Sequence, residues 1–101
     1  MLMSLSVYPI GEGQSLKKLV AEAVHEIDKS GLDYRLTSMN TIIEGDWNDL
    51  MKLVNRIREK IVKKTGRVVI TITIDDKKDR RRRIESKIKS VEQILGKSLK
   101  K

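Results

Sequence analysis

The sequence contains no cysteine and no phenylalanine, and proline occurs once, at position 9. Without cysteine the chain forms no disulfide, and it offers no thiol nucleophile and no thiolate ligand for a metal ion. This composition suits a reducing compartment, so we expect a cytoplasmic protein. Because the only aromatic residues are one tryptophan and two tyrosines, the core must be built from Ile, Leu, Val, Met and Ala.

Long hydrophobic runs are also absent from the 101 residues. No apolar stretch approaches the roughly 20 residues that a membrane-spanning helix needs, and residues 1–4 lack the features of a signal peptide. We therefore expect no membrane partner. The length suits one domain, and we predict a single domain over residues 1–96, followed by a basic tail over 97–101.

Hydrophobic periodicity predicts four strands and three helices. Alternation predicts strands over residues 3–10, 34–37, 41–44 and 67–74. Helical spacing predicts helices after Ser15 and Asp46, their expected N-caps, and a third helix that ends at Gly96. The apolar stripe of the second helix comprises Trp47, Leu50, Met51, Val54, Ile57 and Ile61. This order predicts an α+β fold, a ferredoxin-like β-α-β-β-α-β sandwich with an additional C-terminal helix.

In such a fold the first two helices cover one face of the sheet and leave the other face open. The alternation assigns to the open face Ser4, Ser6, Tyr8, Val69, Thr71 and Thr73. A surface with this much Val, Thr and Tyr usually contacts another subunit or, in this chain, the C-terminal helix. We therefore predict a homo-oligomer, most simply a symmetric dimer.

The segment from Tyr34 to Gly45 holds the densest cluster of small hydrogen-bonding side chains next to apolar ones. It is a predicted hairpin whose corner is formed by residues 38–40. If the protein has a ligand site, we expect it here.

Several segments carry a resemblance to a known family. They are residues 6–11 (Ser-Val-Tyr-Pro-Ile-Gly), Ser15, 34–36, 40–45 (Asn-Thr-Ile-Ile-Glu-Gly), 66–68, 85–87 and 90–92. With these segments the chain resembles the small thiamine-binding proteins over nearly its whole length. The resemblance implies a ferredoxin-like fold, dimers or dimers of dimers, and binding of thiamine or its hydroxymethylpyrimidine half, as a sensor or carrier. It implies no catalysis. One departure is Ser38, where the family often has proline.

The resemblance also defines the chemistry that a site would need. An aminopyrimidine presents an amine donor beside ring-nitrogen acceptors, which carboxylate, hydroxyl and amide side chains can match. A carboxylate also complements the cationic thiazolium, and an indole can stack on a ring. The candidate ligand-binding residues are Ser6, Ser38, Asn40, Thr41, Glu44 and Trp47.

Each candidate also has a purely structural interpretation, which the sequence leaves open. Glu44 precedes a predicted helix, where the helix dipole alone favours a carboxylate. Asn40 suits a turn and Thr41 suits a strand. Ser6 can be a sheet-face residue, and Trp47 can anchor the core.

Nucleic-acid binding and enzymatic activity are the alternatives to ligand binding. The net charge is +8, and six basic residues crowd positions 77–83, so the alternative function is nucleic-acid binding through the run from Lys77 to Arg83. Nucleic-acid-binding modules of this fold stack bases on aromatic residues of the central strands, and the last strand has none, so we do not expect a nucleic-acid partner. We expect no enzymatic activity and no cofactor, since the single histidine, His25, has no evident catalytic partner. No metal is expected either, because the aspartates at 75, 76 and 79 lack a glycine-centred calcium loop.

Overall fold

The computed structural model describes residues 1–11, 15–78 and 83–101, and within them the predicted order of elements is confirmed. The strands are β1 (Leu2–Ile10), β2 (Asp33–Leu36), β3 (Thr41–Glu44) and β4 (Arg67–Asp75). The helices are α1 (Leu16–Lys29), α2 (Trp47–Thr65) and α3 (Arg83–Leu95). β1 and β2 each begin one residue earlier than predicted, and Thr37 lies in the corner rather than in β2.

The strands form one antiparallel sheet in the order β2-β3-β1-β4. β1 pairs with β4 along its whole length, from Leu2 opposite Asp75 to Ile10 opposite Arg67. Its pairing with β3 is shorter and stops at Leu5 opposite Thr41. This topology is the predicted ferredoxin-like arrangement, and the difference in paired length shapes the candidate site.

The core lies between the sheet and the first two helices. Met3, Ile43, Leu50, Leu53 and Ile57 are among its fully buried residues. Leu53 was not in the predicted stripe, although it follows Leu50 at helical spacing. Trp47 was predicted to belong to the stripe but is 52% exposed, because it is the first residue of α2 and lies at the rim.

Ser15 and Asp46 occupy the predicted N-cap positions, but neither side chain makes a capping hydrogen bond. The predicted helix ends are better defined. Gly31 and Gly66 follow α1 and α2 with φ of 79° and 78°, the left-handed conformation that glycine adopts without steric cost.

An acidic pair on α1 faces basic residues on α2. Glu22 pairs with Lys64, and the Oε1 of Glu26 lies 3.4 Å from Nζ of Lys60 and 3.2 Å from Nζ of Lys29. Glu26 is only 6% exposed. Burial pushes the pKa of its carboxyl up, but the two lysines outweigh burial and hold that pKa below its ordinary value of 4.5.

The predicted open face is present, and α3 covers one end of it. The main-chain N–H of Ile84, in the first turn of α3, points at Oε1 of Glu44 at 3.4 Å. Arg35 lies 3.4 Å from Glu85, and Lys87 lies 3.3 Å from Asp75. These contacts fix the start of α3 on the sheet.

The rest of the open face and of α3 has little cover within this chain. Tyr8 and Val69 on the sheet are 63% and 44% exposed, and Ile94 on α3 is 85% exposed. The radius of gyration is 15.2 Å, against about 13 Å for a compact domain of this length. The chain is elongated, with extents of 50 × 28 × 20 Å.

Candidate functional site

A small cavity lies where β3 stops pairing with β1. Beyond Leu5, one side of β1 has no neighbouring strand, because the chain turns away through residues 37–40. The space left there has a volume of 230 Å³ and is lined by residues 5–8 of β1, by Val20, Ala23, Val24 and Ile27 of α1, and by residues 36–41. We call this cavity the notch.

A hydrogen-bond network holds the corner beside the notch. The Thr37 hydroxyl accepts hydrogen bonds from the main-chain N–H groups of Met39 and Asn40, at 3.2 and 3.1 Å. The side-chain amide of Asn40 donates to Oγ of Ser4 at 2.7 Å, which ties the corner to β1. Asn40 therefore has a structural role as a turn residue, and its contact with a ligand stays a prediction.

Thr41 is the most informative polar residue of the notch. Its side chain lies on the helix-facing side of the sheet, opposite Leu5, and the residue is 6% exposed. Its hydroxyl makes no hydrogen bond within the part of the chain that the structure describes. The hydroxyl is not fully buried, so it is accessible from the notch and can donate to or accept from a ligand there.

Two further predicted residues line the notch. Ser38 is exposed on the corner. The side chain of Ser6 is on the open face, and its hydroxyl donates to the main-chain oxygen of Met39 at 3.4 Å. Four of the six predicted residues, Ser6, Ser38, Asn40 and Thr41, thus line the notch, although the side chains of Ser6 and Thr41 are on opposite faces of the sheet.

Glu44 and Trp47 lie elsewhere. Glu44 is three residues from Thr41 along β3, about 10 Å away, and its side chain points to the open face, where it meets the start of α3. Trp47 lines neither the notch nor the groove described next. Their contact with a ligand stays a prediction, but the structure does not place them with the other four residues.

An open groove adjoins the notch between α1 and β2. It has a volume of 870 Å³ and shares Val20, Val24, Leu36 and Thr37 with the notch. At its side, the Tyr34 hydroxyl donates to Oδ1 of Asp28 at 2.7 Å. That hydrogen bond to a carboxylate raises the pKa of Tyr34 above its ordinary value of 10.0.

The groove was not predicted from the sequence. Val20 and Val24 are apolar residues at helical spacing in α1, and that spacing alone assigns them to the core. Only the packing shows that α1 extends past the edge strand β2, so that these side chains and the 58%-exposed Leu36 form a surface.

Residues 1–11, 15–78 and 83–101 contain neither a candidate metal site nor a candidate membrane-spanning helix. These residues contain no cluster of three or more His, Cys, Asp or Glu side chains that could hold a metal ion. None of their helices is both long enough and apolar enough to cross a membrane. The basic run from 77 to 83 lies largely outside the described residues, so nucleic-acid binding stays an alternative prediction.

Comparison with known proteins adds a decisive observation. The sequence model of the family described as thiamine-binding protein matches residues 3–92. The chain belongs to the thiamine-binding protein family. The resemblance noted in the sequence is therefore confirmed.

Relatives in this family cover nearly the whole chain. A UPF0045 protein of Staphylococcus xylosus is 40% identical over 101 residues and 94% of each chain. The UPF0045 protein YqgV of Bacillus subtilis is 35% identical over 100 residues, 93% of this chain and 96% of its own.

Solved structures of similar proteins share the fold. A hypothetical protein of Methanocaldococcus jannaschii superposes with a TM-score of 0.80 at 30% identity, over 89% of this chain and 93% of its own. A Thermotoga maritima protein, provisionally assigned to thiamine biosynthesis or salvage, gives a TM-score of 0.78 at 26% identity, over 89% and 96%. The ferredoxin-like assignment agrees with both.

Proposed function

We propose that the protein binds thiamine, or its hydroxymethylpyrimidine half, in the notch and acts as a sensor or carrier without catalysing a reaction. The observation that carries the proposal is the hydroxyl of Thr41, which has no hydrogen-bond partner within the described part of the chain and is accessible from a small, mostly apolar cavity. Membership of the thiamine-binding protein family supports the choice of ligand.

The dimensions of the two cavities suit the two halves of thiamine. Pockets for drug-sized ligands span about 300–1,000 Å³, so the 230 Å³ notch suits a single ring. The pyrimidine occupies the notch, where Leu5 and Val24 contact its faces and hydroxyl groups reach its edge. The thiazolium ring then lies in the adjoining groove.

Charge complementarity in this arrangement comes from Asp28. The thiazolium ring is cationic, and Asp28 supplies a carboxylate to the groove. The sequence suggested that Glu44 would supply this carboxylate, but Glu44 faces α3 instead.

The proposal includes a homo-oligomer. The open sheet face and the exposed apolar side of α3 belong to the same chain, so a second copy related by a two-fold axis can cover both at once. Burial of Tyr8, Val69 and Ile94 would then supply the apolar contact that a single chain lacks.

Calorimetric titration with thiamine and with the free pyrimidine alcohol tests the proposal, using two matched leucine-to-tryptophan variants. Leu36 is exposed and lines both cavities, whereas Leu16 is exposed and lines only the groove. Leu36→Trp should therefore abolish binding of both compounds. Leu16→Trp should weaken binding of thiamine and leave binding of the pyrimidine alcohol unchanged.

The two ways to fail are distinct. If the native protein binds neither compound, thiamine binding is refuted. If Leu36→Trp binds both compounds with native affinity, the ligand lies outside the notch.

A further inference from the structure

The main-chain groups of β1 point alternately to its two neighbours. Met1 and Gly45 exchange two hydrogen bonds, from Met1 N to Gly45 O at 2.8 Å and from Gly45 N to Met1 O at 3.1 Å. In an antiparallel pair every second residue makes such an exchange. The unbroken register of β1 then directs the N–H and C=O groups of Met3, Leu5 and Val7 towards β3, and those of Ser6 and Tyr8 towards β4.

The β2–β3 pair follows the same alternation. The main-chain groups of Asp33 and Arg35 point to β3, and those of Tyr34 point outwards. The guanidinium of Arg35 donates to the outward carbonyl of Tyr34 at 3.0 Å, as this assignment requires.

Val7 is the first residue of β1 whose main-chain N–H and C=O groups point to the β3 side beyond the end of β3. Within the described part of the chain, neither its N–H nor its C=O has a hydrogen-bond partner, and the residue lines the notch. Pro9 occupies the next position of the same parity. Proline is tolerated in a strand where its missing N–H faces no partner, so Pro9 agrees with an unpaired edge here.

We propose that the main chain of Val7 recognises the aminopyrimidine edge of the ligand. This inference rests on the proposed function. A strand residue without a partner offers one donor and one acceptor side by side on the same edge. The ligand's ring nitrogen and adjacent exocyclic amine present the matching acceptor and donor. The Val7 N–H donates to the ring nitrogen, and the amine donates to the Val7 C=O.

This pairing determines which pyrimidines bind. In the 4-oxo analogue, the ring nitrogen carries a proton and the amine is replaced by a carbonyl. Donor then faces donor and acceptor faces acceptor at Val7. The side-chain hydroxyls of the notch can rotate to suit either compound, whereas the main chain of Val7 cannot. Discrimination between the two compounds is therefore a property of the strand edge.

Two measurements test the assignment, with the aminopyrimidine alcohol and its 4-oxo analogue as probes. Amide hydrogen exchange followed by NMR should show the Val7 N–H unprotected in the free protein, whereas those of Ser6 and Tyr8 are protected by β4. Saturation with the aminopyrimidine should slow exchange at Val7, and the 4-oxo analogue should not.

The variant Val7→Pro removes the N–H, and Val7→Ala is its matched control because both lose the valine side chain. Val7 makes no ladder hydrogen bond to β4, so proline breaks none. Val7→Pro should bind the aminopyrimidine about two- to twelvefold more weakly than Val7→Ala, the loss of one hydrogen bond.

The outcomes separate the two proposals. If the native protein binds the aminopyrimidine but exchange at Val7 is unchanged, the Val7 assignment is overturned and the proposed function stands. Equal affinity for the 4-oxo analogue overturns it as well. If neither thiamine nor the pyrimidine binds, both proposals fail. The exchange measurement uses the native chain, so it decides the matter even if Val7→Pro does not fold.

Discussion

Replacing Thr41 by valine should raise the stability of the free protein and lower its affinity for the ligand. Valine has nearly the shape of threonine but lacks the hydroxyl. Thr41 is 6% exposed, and its hydroxyl makes no hydrogen bond within the described residues, so the variant loses no known protein contact. A polar group that is fully buried and unsatisfied costs about 1–3 kcal/mol, and the Thr41 hydroxyl, which stays accessible from the notch, bears only part of that cost. Water in the notch offsets part of that cost, so we expect a gain of up to about 1 kcal/mol.

Two assays measure this prediction. A gain of about 1 kcal/mol corresponds to a rise in melting temperature of about 4–8 °C for a domain of this size. Loss of one hydrogen bond to the ligand should weaken the affinity for thiamine about two- to twelvefold by calorimetry. Thr73→Val, on the open face and away from the notch, is the control for binding and should leave the affinity for thiamine unchanged. A Thr41→Val protein that is less stable and binds thiamine normally would refute the reasoning, because the hydroxyl would then serve the fold.

Three further changes test other parts of the structure. Glu26→Gln should remove up to about 1 kcal/mol of stability at neutral pH. Because the pKa of Glu26 is lowered in the folded protein, its carboxylate contributes to stability above about pH 4.5, and that contribution is lost as the pH falls through the folded pKa. The free energy of unfolding of the variant, measured with denaturant, should therefore depend less on pH on the acid side. Gly11→Ala should destabilise the protein more than Gly31→Ala. An added Cβ at Gly11 would lie 2.5 Å from the main-chain oxygen of Thr65, whereas one at Gly31 meets nothing within 4 Å. The melting temperatures of the two variants test this order. Ile94→Glu should shift native mass spectra towards the monomer, whereas Gln93→Glu, a neighbouring exposed position, should not.

The fold could be predicted because the hydrophobic periodicity and the positions of the helix-terminating residues agree along the chain. Alternation in β1 and β4, helical spacing in α1 and α2, and glycines after the helices all favour one topology. The rim position of Trp47 was harder to predict. The apolar stripe of a helix does not indicate in the sequence where the core ends. In the structure, the first turn of α2 extends past the sheet.

The notch could not be predicted, because it depends on the relative lengths of paired strands. β3 has four residues and β1 has nine, but only the pairing register shows which half of β1 is left without a neighbour. The separation of Thr41 from Glu44 did have a signal in the sequence. Residues three apart in a regular strand point to opposite faces, so one flat ligand cannot contact both without a bulge.

That separation leads to a last prediction, on Glu44→Gln. The Glu44 carboxylate lies 3.4 Å from the main-chain N–H of Ile84, at the N-terminus of α3. Glutamine can still accept this hydrogen bond but loses the attraction between the charge and the helix dipole, which is worth about 0.3–1 kcal/mol. Amide exchange at Ile84 should therefore quicken by at least about two- to fivefold.

The affinity of Glu44→Gln for thiamine should stay within about twofold of the native value, because Glu44 lies outside the notch and the groove. The opposite pattern, a tenfold loss of affinity with unchanged exchange at Ile84, would place Glu44 against the ligand. In that case the pyrimidine would lie on the open face beside α3 and not in the notch. The same residue therefore decides between a site in the notch, on the helix-facing side, and a site on the open face.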